Sequence, residues 1–204
     1  MTLEQEYDVF VRAANTFVDL VRQLDDTAWT SPGLGDWDLR ALVGHASRSL
    51  ITVTQYVDQP VDSQDLDSPV AYYLAAAAMA GTDQSAIVER GRQAGAALGP
   101  DPVVAVTDLA RAAITRLQDQ PDLLMHTLLG GMWLSDYLPT RTFELVVHSL
   151  DIAGATGAPI ALDQAALSTA NALAARIAVA QGKGIELLTA TTGRGELSPD
   201  FSVV

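Results

Sequence analysis

The chain contains no cysteine. That excludes disulfides, thiolate metal ligands and a protein thiol nucleophile, so any bound ion must take nitrogen and oxygen donors. Basic residues are also scarce: 12 Lys and Arg stand against 25 Asp and Glu, the net charge is −13, and Lys183 is the one lysine. A surface of that sign repels phosphate backbones and anionic bilayers, which argues against nucleic acid or membrane partners. The longest apolar-looking run, residues 71–80, is too short to cross a bilayer and includes Tyr72 and Tyr73. The opening MTLEQEYDVF is acidic and lacks the apolar core of a secretory signal, so a cytoplasmic location is expected. There is no Gly-rich phosphate loop and no nucleophile elbow.

Aromatic residues make up only 6% of the chain, yet 49% is hydrophobic, with alanine abundant. That mix favours helices over sheets, because alanine has the best helix propensity and fills a pleated face poorly. The length of 204 residues suits one domain. Phe10, Ala13, Phe17, Leu20, Val21 and Leu24 recur at helical spacing and predict an amphipathic helix over residues 3–24. Asp38 reads as the N-cap of a second helix running toward Val57. A third helical region covers about 70–98, broken or kinked at Gly81-Thr82-Asp83. Pro102 suits the first turn of a fourth helix over 103–119. Residues 122–132 are ambiguous: Gly130-Gly131 allows an extended stretch, a turn, or close backbone approach to a ligand. A fifth helix is expected over about 134–155, a sixth from Asp163 to about Gln181, and a short one near 185–191. The fold class is all-α, a bundle of four long helices with short additional helices, in a single domain over 1–204 with a short C-terminal extension from about 184.

Chemistry concentrates in the stretch RTFELVVHSLD, residues 141–151. Glu144 and His148 are four apart, which places both on one helix face about 6 Å apart along the axis. They can converge on one ion, but two ligands are too few. The chain has three histidines; of the remaining two, His45 in the second helix is favoured over His126 in the ambiguous segment, because facing helices of a bundle supply rigid ligands. Two histidines and one carboxylate leave positions open for water or substrate, as in catalytic zinc and non-haem iron sites. Asp151 either accepts a hydrogen bond from His148 behind the ion or merely solvates the helix surface. Arg141 either contacts an anionic group of a substrate or pairs with a nearby carboxylate. Trp37 and Trp133, each flanking a helix start, are read as packing residues.

The segment SPGLGDWDLRALVGH, residues 31–45, resembles the tryptophan, helix cap and histidine block of the DinB/YfiT-like metal-binding proteins. More narrowly it is similar to the mycothiol-dependent maleylpyruvate isomerase family, whose second block, with arginine, glutamate, histidine and aspartate, resembles residues 141–151. The ending GRGELSPDFSVV is similar to C-terminal segments among its relatives. The resemblance implies an up-down-up-down four-helix bundle in which His45, Glu144 and His148 bind a divalent metal, usually zinc, with nickel, iron or manganese as alternatives. It also implies mycothiol, a low-molecular-weight thiol, as cosubstrate, and a small electrophilic molecule as substrate. A full isomerase would carry a larger separate C-terminal domain, which the residues after the sixth helix are too few to form. The activity the resemblance implies is that of a thiol transferase or isomerase. The alternatives are a hydrolase using metal-activated water and a non-catalytic metal-binding sensor or interaction protein. The expected oligomeric state is monomer or homodimer.

Overall fold

A computed structural model describes residues 1–80 and 84–204, so the break expected at Gly81-Thr82-Asp83 lies outside the described residues. The chain is mostly helical, with eight α-helices and a two-stranded sheet among the described residues. The sheet amends the all-α expectation. Helix α1 spans Leu3–Val21 and opens on a capping box, Thr2 and Gln5 each bonding the other's backbone N–H. Helix α2, Leu39–Tyr56, starts at Asp38, whose carboxylate accepts from Ala41 N at 2.8 Å. Helices α3, Pro69–Ala80, and α4, Gln84–Ala97, follow. Their main packing differs: α3 lies on α6 and α7, whereas α4 lies along α2.

Helix α5, Pro102–Leu117, has proline in its first turn and Asp101 as its cap. Helix α6, Leu134–Thr156, is the longest, and α7, Gln164–Ala180, begins at the cap Asp163. The short α8, Gly184–Thr191, packs on α7 and has no buried residue. Helix α1 packs on α5 and α6, and α2 also packs on α5 and α6. The apolar faces of these four enclose the core, where Phe10, Phe17, Leu42, Leu50 and Leu145 are fully buried. Two tyrosines pin the packing: Tyr7 Oη donates to Ile114 O at 3.2 Å, and Tyr137 Oη donates to Thr52 Oγ1 at 2.8 Å.

The ambiguous segment is an antiparallel hairpin, β1 Leu124–Thr127 and β2 Gly130–Trp133, with Met125 opposite Met132. Both methionines are fully buried. The approach allowed by Gly131 is made by the chain itself. A Cβ there would stand 2.0 Å from Ser63 O, and Gly131 N donates to Asp65 Oδ2 at 2.7 Å. The hairpin delivers the chain straight into α6, which carries the 141–151 stretch.

Candidate metal centre

Helices α2 and α6 are packed neighbours, and His45 and Glu144 sit on their facing sides. His45, Glu144 and His148 each offer one donor atom, and these atoms lie within 4.8 Å of one another. His126 is elsewhere, exposed on β1. The rings of His45 and His148 meet edge-on with centroids 4.9 Å apart. Glu144 Oε2 lies 3.2 Å from His148 Nε2, and Asp151 Oδ2 lies 2.9 Å from His148 Nδ1. Asp151 therefore stands behind the imidazole, as an outer carboxylate does when it fixes a ligand's tautomer and orientation.

Electrostatics follow from this packing. Burial works against a charge on His148, but its bonds to Asp151 and Glu144 outweigh that and push it up to about 9. Burial likewise opposes ionisation of Glu144, while His148, Arg141 and Tyr73 together bring it down to about 2. His45 is driven down to about 4, first by burial and then by the neighbouring His148. It is thus held neutral, the form that donates to a metal. Its Nδ1 is buried with no hydrogen-bond partner among the described residues. A buried polar atom left unpaired costs about 1–3 kcal/mol, so an orphaned imidazole nitrogen beside a histidine and a carboxylate fits a donor set made for an ion. Two nitrogens and one oxygen suit zinc and the other divalent transition metals alike.

Several contributors were invisible in the sequence. Tyr73, on α3, donates to Glu144 Oε1 at 2.7 Å and occupies the second carboxylate oxygen. Nothing in the alanine-rich run around it says which helix α3 would meet; the adjacent tyrosines were the one available signal. Trp37 is buried, as its reading as a packing residue requires, but what it packs on is the ring of His45, centroids 4.5 Å apart. Its Nε1–H donates to Val88 O of α4 at 2.9 Å. Trp133 is partly exposed and precedes α6 without capping it.

Arg141 corrects the expectation of a helical ion pair. It forms no ion pair among the described residues. It is buried, its Nε donates to Thr140 Oγ1 at 3.0 Å, and its guanidinium carbon lies 5.2 and 4.7 Å from the ring centres of Tyr72 and Tyr137. Aromatic faces hold a cation in place without neutralising it. Arg141 and Arg48 line the same cavity of about 460 Å³ as the three donors, together with Tyr56 and Phe143.

A family model described as the mycothiol maleylpyruvate isomerase N-terminal domain matches residues 10–153 of this chain. No curated protein and no solved structure matches it.

Proposed function

The chain belongs to the family of the mycothiol maleylpyruvate isomerase N-terminal domain, and from that premise we propose a divalent-metal-dependent thiol transferase or isomerase, with mycothiol as cosubstrate and a small electrophile as substrate. The observation that carries this is the meeting of two imidazoles and one carboxylate on the wall of a single cavity. In this reading His45, Glu144 and His148 are the ligands, and the ion is zinc or a close divalent relative. When bound, such an ion lowers the pKa of a coordinated thiol or water and supplies a nucleophile near neutral pH.

The protein's own residues do the rest. Asp151 accepts the Nδ1 proton of His148 and so directs Nε2 toward the donor cluster. Tyr73 occupies one oxygen of Glu144 and leaves the other facing His148. Arg141, fixed by its tyrosines and in no direct ion pair among the described residues, is the contact for an anionic group of the substrate. The reaction class is addition of a thiol to an electrophilic carbon: isomerisation if the thiol later departs, conjugation if it stays. The mutual packing of α1, α2, α5 and α6 supports a DinB-like up-down-up-down bundle, with the chain as one domain and α8 opening a short extension.

Metal analysis combined with thermal-shift measurement tests the proposal. Wild-type protein purified without chelator should hold about one ion per chain, and His45→Ala should lose it. Mycothiol should raise the melting temperature of the loaded protein only. Equal metal in both proteins removes His45 from the ligand set, and turnover without any thiol would favour the hydrolase.

A further inference from the structure

The segment after α8 returns to the cavity. Val203 and Val204 line it together with His45, Glu144 and His148. Val203 is partly buried and packs on the hydrophobic core, while Val204 is exposed at the rim. The anchors of this segment are polar and peripheral. Gln181 Nε2 donates to Val203 O at 3.0 Å, and the amino group of Lys183 donates to Ser202 O. Lys183 also lies 5.9 Å over the ring of Phe201. Ser198 donates through both N and Oγ to Glu186 Oε1 at 2.7 Å. The main packing of α8 is on α7.

We propose that residues 197–204 form a separable wall of the ligand chamber, and that Val203 sets the size limit of what reaches the donor cluster. This rests on reading the cavity as the place where ligand binds. The wall adds apolar contact to a chamber whose lining is largely apolar and also includes Arg48, Arg141, His45 and His148. A ligand that is apolar and compact at its outer end is retained against Val203; a bulkier one must displace the segment. Displacement breaks a few hydrogen bonds, most of them exposed, together with the apolar contacts of Val203, and leaves the packing of the helices on one another in place, as in a low-stability local opening.

The lack of cysteine allows a clean test. Ser49 is buried and lines the same cavity, so Ser49→Cys places one thiol there. Its modification rate is measured in chelator-treated protein with methyl methanethiosulfonate and with the benzyl analogue, which differ in bulk and not in reactive group. With the wall intact the methyl reagent reacts much faster. Adding Val203→Gly, or deleting residues 197–204, should raise the benzyl rate about tenfold and the methyl rate about twofold or less, the pattern of a local opening. Val203→Trp should shift the ratio the other way. A ratio unchanged in both Val203→Gly and Val203→Trp overturns the proposal, whatever the fate of the deletion variant. Because the labelling needs no metal, a wild-type protein that binds no ion defeats the metal reading while the labelling rates still decide whether the wall limits entry.

Discussion

Asp151 bonds His148 and, among the described residues, neither of the other two donors, so it acts on the donor set through that ring. Asp151→Asn should weaken metal affinity about 10–100-fold while leaving the fold unchanged; competition with a chromophoric chelator, alongside circular dichroism, measures both. The imidazoles also give a pH signature. In metal-free protein His148 sits at about 9 against its ordinary 6.5. Between those values the folded chain holds more protons there, so the stability His148 contributes, full below 6.5, is lost as pH rises through 9. His45, at about 4, acts in the opposite sense: its penalty is absent above 6.5 and grows as pH falls toward 4. The stability difference between chelated wild type and His148→Gln, from urea titrations, should therefore shrink steadily from pH 6.5 to 9. A constant difference would mean that the proton on His148 is not held by Glu144 and Asp151. At this scale the sequence was readable for residues sharing one helix turn with a partner, such as Glu144, His148 and Asp151. It was silent on Tyr73, whose partner is 71 positions away.

Helix α4 lies against α2 because two glycines let the backbones touch. A Cβ on Gly44 would stand 2.2 Å from Gly95 N and 2.5 Å from Ala94 C, and both contacts are backbone. Neither can yield without moving a helix. Gly44→Ala should therefore cost about 1–3 kcal/mol of stability, the range for overpacking a filled interior. It should also loosen metal binding, since His45 is the next residue; urea midpoint and metal content read the two effects. The sequence announced the helices whose apolar stripe or cap was strong, α1 and α2 above all. It left residues 122–132 open because a four-residue strand is too short to establish a period of two, and what fixes it as a hairpin is contact with the 60–66 segment. Likewise the third helical region showed where helix was favoured, but the different partners of α3 and α4 depend on tertiary packing that no local pattern encodes.

For the molecule as a whole, an ion held by α2 and α6 would tie together elements far apart in the chain, and binding to the folded state alone would stabilise it. At a hundredfold excess over Kd the gain is about 2.7 kcal/mol. A chain of this size shifts by about 2–4 °C per kcal/mol, so chelation should lower Tm by roughly 5–11 °C. Scanning calorimetry with and without chelator checks this, and His45→Ala should abolish the difference. No described helix is long and apolar enough to cross a membrane. The family match covers residues 10–153, which includes both halves of the candidate centre and excludes α7, α8 and the segment that carries Val203 and Val204.

Trp37 has a role that outlasts its burial. One side of the indole bears on His45, its Nε1–H is tied to Val88 of α4, and Gly91 of α4 presses against it so closely that a Cβ there would collide with the ring. The side chain is a strut between a surface helix and the imidazole. A displacement of α4 would therefore bear on the His45 ring directly, through one buried indole.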